Sequence, residues 1–383
     1  MSSNRQIIVI VVSAVIALLA VVLLIPRGAP PAGPGTSVPG PTCAGDAGPS
    51  TPSAACASEP AGSAGSSGEP SSGTTEPSQE PVSLTVGLGF IPSVQFAPFY
   101  LAQQAGYYQA EGLTVTFQNE TDANLVPKVG QGGAVDLGLS DGTSVIPAVS
   151  QGIPIRYLAT IYRQFPSIVF AKTSSGIKTA ADLKGKKIGI PGKYGSSWIM
   201  LQALLASVKL TTDDATIVEY PDFGQGAAVA QGAVDAATGF VNNEPIQLER
   251  SGTPVVVLHI DDVTPLPGPG LISSTATIAA KHDAIAGFVR ATLRAMEDVI
   301  ADPSKGVDAA IAVESTLGQD RELQSAILAA TIDAWQGTGG VDNLGTIDRP
   351  AWQKSLDFMT SLGLVPNPVT VDGLVTEEFV ATP

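Results

Sequence analysis

Gly138-Leu-Ser-Asp-Gly142 has the G-x-S-x-G spacing that, on a sharp turn between strand and helix, presents a serine for nucleophilic attack. Such a serine needs a histidine to take its proton and a carboxylate to orient that histidine. The chain has two histidines, His259 and His282, and neither sits among the glycine-rich or acidic neighbours the rest of such a site requires. A serine hydrolase built on Ser140 is therefore an alternative. The plainer reading of the same residues is a small-residue loop that lets a ligand approach the start of a helix. Val86-Gly-Leu-Gly-Phe-Ile-Pro92 carries the first glycines of a dinucleotide fingerprint without the last, and Gly192-Lys193 is followed by Tyr194 where a phosphate loop needs Ser or Thr. Cys43 and Cys56 fall in a low-complexity stretch, so they give a folded region neither a zinc site nor a thiol nucleophile. They pair with each other outside the cell or stay free. No cofactor and no metal is expected.

Other residues are placed to bind rather than to react. Phe90, Phe96, Tyr162, Tyr194 and Phe240 fall at or just after the C-terminal ends of predicted strands, where flat rings can face a flat ligand. Gln95, Asp141, Thr143, Ser196, Ser197, Asn242, Asn243 and Glu244 could add the few directional hydrogen bonds that fix its orientation.

These positions depend on alternating strands and helices. Leu84–Leu88 predicts a strand, Ala97–Gln109 a helix and Leu113–Phe117 a second strand, which together form a βαβ unit. The pattern recurs with a strand at Lys186–Ile190, a helix at Trp198–Val208 and a strand at Thr216–Tyr220. Val129-Gly-Gln-Gly-Gly-Ala-Val-Asp136 is matched by Val229-Ala-Gln-Gly-Ala-Val-Asp235, and each leads through a strand, polar loop and helix to a Gly-x-Pro turn (Gly152–Pro154, Gly252–Pro254). Two α/β lobes of similar build follow, with the ligand cleft where their strand ends face each other. The lobes are expected at 82–175 with 268–383, and at 176–267. The chain is expected to cross between them near Ser174–Ala181 and Asp262–Gly270, with helices at Ile285–Ile300, Leu323–Trp335 and Ala351–Leu362 completing the first lobe.

Ahead of the lobes, Ile7–Ile25 is apolar throughout and long enough to span a bilayer, with Arg5 before it, which predicts a membrane anchor at 1–27 or a cleaved export signal. Residues 28–81 are rich in Pro, Gly, Ser, Ala and Thr and predict a flexible linker. The folded part is then outside the cytoplasm. A net charge of −15, from 35 acids against 20 bases, argues against a nucleic-acid partner.

Leu88-Gly-Phe-Ile-Pro-Ser-Val-Gln-Phe-Ala-Pro-Phe-Tyr-Leu-Ala102, Ala105-Gly-Tyr-Tyr-Gln-Ala-Glu-Gly-Leu113, Val135-Asp-Leu-Gly-Leu-Ser140, Asp182-Leu-Lys-Gly-Lys-Lys-Ile-Gly-Ile-Pro191 and Asn243-Glu-Pro245 together resemble the substrate-binding proteins of alkanesulfonate, thiamine-pyrimidine and riboflavin uptake. The resemblance spans nearly the whole chain after Val82. It implies an α/β, type II periplasmic-binding-protein fold with a hinge and an interlobe cleft, a non-enzymatic monomer, and delivery of a small molecule to an ABC permease in the membrane. Gly89-Phe90-Ile91-Pro92 and Asn243-Glu244-Pro245 draw the resemblance toward riboflavin and pyrimidine-precursor binders, and so add Ile91 to the candidate site. Riboflavin or a related flavin is the leading ligand, a hydroxymethylpyrimidine-type precursor the next, and an alkanesulfonate or nitrate the last. The family also holds a fungal hydroxymethylpyrimidine synthase, which uses a histidine where this chain has Phe96 and a Cys-rich motif this chain lacks.

Overall fold

A computed structural model describes residues 80–380, apart from Thr121 and Thr338. The apolar segment at 7–25, the linker up to residue 79, and Cys43 and Cys56 lie outside the described residues. Among those described, no helix is long and apolar enough to cross a membrane, and no group of His, Cys, Asp or Glu could hold a metal ion.

The chain lays down β1 (Val82–Leu88), β2 (Leu113–Asn119), β3 (Leu137–Asp141) and β4 (Ile155–Thr160), then β5 (Ser167–Lys172), β6 (Lys187–Ile190), β7 (Thr216–Glu219), β8 (Ala236–Phe240), β9 (Val255–His259) and β10 (Pro269–Ser274). They form two sheets of matching order, β2-β1-β3-β10-β4 and β7-β6-β8-β5-β9. In each, the first three strands are parallel and joined by helices. The fourth strand runs against both of its neighbours, β10 between β3 and β4 and β5 between β8 and β9.

That antiparallel strand corrects the expected path of the chain. Ser167-Ile-Val-Phe-Ala-Lys172 is buried along almost its whole length at the heart of the second sheet, so the first crossing lies at 161–166 rather than at Ser174–Ala181, and β5 belongs with the second sheet. The return runs over 260–268. Alternation of strand and helix could not reveal this, because β4 and β5 follow each other with no helix between them.

The sequence repeat has a structural counterpart in hydrogen bonds. In the first sheet the Asp136 carboxylate accepts from the Thr85 backbone N–H at 2.9 Å, while the Asp136 N–H donates to Thr85 O at 2.8 Å. In the second, Asp235 accepts from the Lys187 N–H at 2.8 Å and donates its own N–H to Lys187 O at 2.9 Å. Each aspartate clamps the start of its β3 or β8 strand to the strand beside it. Gly132 and Gly232, at φ 69° and 74°, turn the chain out of the preceding helix, a left-handed conformation that favours glycine.

Helices cover both faces of the sheets. The expected helix at Ala97–Gln109 is broken by Gly106, at φ 74°, into Ala97–Gln104 and Tyr107–Ala110. His282–Ala301 and Arg321–Gln336 place Phe288, Met296 and Trp335 in one core with Val86, Leu88 and Phe99. Between them runs Pro303–Val313, a helix not anticipated from sequence; it starts with a proline in its first turn and an Asp302 cap. Arg349–Ser361 stacks Trp352 edge-on against Tyr157 of β4, ring centres 4.8 Å apart.

Asp136 also holds Lys281 at 2.7 Å and is largely buried, whereas Asp235 is exposed. Asp136→Ala is therefore expected to lower unfolding free energy by about 1.5–3 kcal/mol and Asp235→Ala by about 0.5–1.5 kcal/mol. Urea titration of the two variants checks this ordering.

Candidate functional site

Strands buried on both faces place their C-terminal ends, and the turns beyond them, at one edge of each sheet, where open α/β sheets bind ligands. The two edges face a common cavity. From the first sheet it takes Gly89 and Phe90 after β1, Gln95 and Phe96 before the helix Ala97–Gln104, and Leu139, Ser140 and Asp141 at the end of β3. The second contributes Pro191 after β6, Tyr194 to Ser197 at the start of the helix Gly195–Ser207, Phe223 and Gln225 after β7, and Gly239, Phe240, Asn243 and Glu244 at the end of β8. Tyr162 and Pro269 come from the ends of the two crossings.

Of the residues singled out from sequence, Phe90, Gln95, Phe96, Asp141, Tyr162, Tyr194, Ser196, Ser197, Phe240, Asn243 and Glu244 line this cavity. Ile91, Thr143 and Asn242 do not. Ile91 is 54% exposed, and Thr143 is fully buried inside the helix Gly142–Ser150. Asn242 is also fully buried, and its Nδ2 donates to Thr331 Oγ1 at 2.7 Å, joining the end of β8 to the helix Arg321–Gln336. Sequence reasoning missed Phe223 and Gln225. The rule that picked out the other aromatics, a ring just past a strand's C-terminal end, also reaches Phe223.

The walls meet across the cleft. Phe223 packs edge-on to Phe90, ring centres 4.8 Å apart and planes 81° apart. Its backbone is held at φ 59°, a region bulky side chains rarely occupy. Behind the cavity, Ile246 packs on the core of the first lobe, and Arg250 lies 3.5 Å from both Asp320 and Glu322.

Polarity is concentrated at the second lobe's edge. Glu244 Oε2 accepts from the Phe240 N–H at 2.9 Å, and Oε1 accepts from Gln225 Nε2 at 3.2 Å. Gly239 makes room for this carboxyl, since a Cβ there would lie 2.6 Å from Glu244 Oε2. Burial pushes the Glu244 carboxyl up from 4.5 to about 7, against the downward pull of the Phe240 N–H. Among the described residues, Ser140 Oγ and Gln225 Oε1 are buried polar atoms with no protein partner, and both residues border the cavity. No Lys or Arg lines it.

Ser140 is the penultimate residue of β3, and its φ is not positive. The strained elbow that presents a nucleophilic serine is therefore missing, and neither His259 nor His282 lines the cavity.

The profile of NMT1/THI5-like proteins matches residues 93–306. The chain belongs to that family. It is 36% identical over 302 residues to the riboflavin-binding protein RibY of Chloroflexus aurantiacus, covering 78% of this chain and 86% of that one. It is also 28% identical over 235 residues to the 4-amino-5-hydroxymethyl-2-methylpyrimidine phosphate synthase of Aspergillus parasiticus, covering 58% of this chain and 68% of that protein. Among solved structures it superposes on the alkanesulfonate-binding protein SsuA of Xanthomonas axonopodis pv. citri, bound to MOPS, with a TM-score of 0.61 and 21% identity, over 78% of this chain and 99% of that one. This NMT1/THI5-like chain thus has the type II periplasmic-binding-protein fold that its sequence implied.

The raised value of Glu244 fixes a sign. Its contribution to stability is fully present below the ordinary glutamate value of 4.5 and is lost as pH rises through about 7. The melting temperature of Glu244→Gln is therefore expected to gain on that of the wild type between about pH 5 and pH 8. Parallel curves in a pH series of thermal melts would contradict the assignment.

Proposed function

We propose that this chain is the extracytoplasmic solute-binding component of an ABC importer, holding riboflavin or a related uncharged flavin between its lobes. The observation that carries this reading is the cavity itself: aromatic walls from both lobes, Phe90 and Phe96 from one and Tyr194, Phe223 and Phe240 from the other, with carboxylates and no cationic side chain among its lining. A planar ring system matches the walls. An alkanesulfonate or nitrate would meet Asp141 and Glu244 with no Lys or Arg to balance its charge. The 36% identity to a riboflavin-binding protein supports the same ligand.

The reading is of binding, without reaction. Neither a histidine nor a cysteine lines the cavity, so the groups that would make the chain a synthase or a serine hydrolase are not gathered at the site. Ligand meets one lobe, the lobes rotate about the crossings at 161–166 and 260–268, and closure buries the ring. The closed face then engages a membrane permease as a monomer, with the apolar stretch at 7–25 serving as anchor or export signal. A second reading, a hydroxymethylpyrimidine-type precursor, is favoured by the similarity to the pyrimidine phosphate synthases and by the small, acidic, donor-seeking edge at Glu244.

Titrating the purified chain with riboflavin is expected to quench flavin fluorescence to a one-to-one end point, while MOPS and nitrate leave its melting temperature unchanged. A thermal shift with MOPS and none with riboflavin would overturn the flavin reading and leave the fold standing. Phe223→Ala and Phe90→Ala are each expected to weaken riboflavin binding by about 5- to 100-fold, the range for losing one stacking ring, as read from the same titration.

A further inference from the structure

We propose that Gln225 is a specificity-determining residue of this site, an acceptor that selects ligands bearing an N–H on the edge of their ring; the inference rests on the flavin reading above. Gln225 follows the strained Phe223 turn and is 1% exposed. Its Nε2 donates to Glu244 Oε1 at 3.2 Å, and the other Glu244 oxygen is pinned by the Phe240 N–H at 2.9 Å. When ionised, above about pH 7, the Glu244 carboxylate can accept only from the NH2 end of the amide, so there the amide cannot turn round without setting two acceptor oxygens against each other. Gln225 Oε1 is thereby left buried and without a protein partner among the described residues, on a side chain that borders the cavity. A buried carbonyl oxygen in that state discriminates strongly, because a ligand with no donor leaves it desolvated and unpaired.

The isoalloxazine ring carries one such donor, the imide N3–H between its carbonyl groups. Ser140 Oγ, also buried and unpartnered on the cavity wall, can donate to a ring carbonyl. Gln225 thus reads the donor and Ser140 an acceptor on the polar edge of the ring, while the aromatic walls take its faces.

The test compares riboflavin with 3-methylriboflavin, in which a methyl group replaces the N3 hydrogen, on the wild type, Gln225→Met and Gln225→Ala, by flavin fluorescence. The wild type is expected to prefer riboflavin by about 10- to 100-fold. Gln225→Met keeps the bulk and loses the acceptor, so riboflavin binding should fall toward that of the methyl analogue. Gln225→Ala should bind both within about threefold of each other. Equal binding of the two flavins by the wild type, a comparison that needs no variant, overturns the inference and leaves the flavin reading intact. A preference that survives in Gln225→Met shows that the methyl group is excluded by bulk alone and likewise overturns it. Failure of the wild type to bind riboflavin at all removes the flavin reading, and this inference with it.

Discussion

Each sheet is completed by a strand that reaches it directly from the other. β5 enters the second sheet straight after β4 closes the first, and β10 returns to the first straight after β9 closes the second. A central antiparallel strand exchanges backbone hydrogen bonds with both neighbours, so the first lobe cannot form its middle until the chain has crossed into the second sheet and returned as β10, whereas the second sheet is one continuous stretch from β5 to β9. The crossings therefore sit beside the strand ends, and they deliver Tyr162 and Pro269 into the cavity. Gly142, at the tip of β3, has no room for a side chain because a Cβ would lie 2.5 Å from Pro267 on the return crossing. This close approach packs the residue just after β3 against the return crossing.

On that frame, the two lobes do different work. The first offers the rings of Phe90 and Phe96 with Gln95, the buried hydroxyl of Ser140 and the carboxylate of Asp141. The second offers rings and a polar cluster in which Phe240, Gln225 and Glu244 fix one another. The helix that begins at Glu244 faces the cavity at one end and places Ile246 and Arg250 against the first lobe. A ligand that engages Glu244 would touch an element already packed across the cleft.

Much of this was legible in the sequence, and the gaps have physical causes. The doubled Gly-Ala-Val-Asp segment pointed to two similar lobes, because an aspartate that clamps a strand start is needed once per sheet and leaves the same small-residue signature each time. The aromatics could be placed because rings just beyond buried strands have a cavity edge to face. The first crossing could not be read: β5 is an apolar run like any buried strand, and only its partners reveal which sheet it joins. Asn242 could not be told apart from the cavity-lining residues, because a polar residue at a strand end looks the same whether it borders the cavity or, as here, donates to Thr331. Gln225 escaped notice because its importance comes from Glu244, nineteen residues away in sequence and adjacent only in space.

The central claim is that the cleft grips a planar, uncharged heterocycle with a hydrogen-bonding edge. Mass spectrometry of the small molecules released when the purified protein is denatured tests it most directly. The account predicts a stoichiometric neutral flavin or a similar N–H-bearing ring. Recovery of a sulfonate or another anion in its place would contradict it.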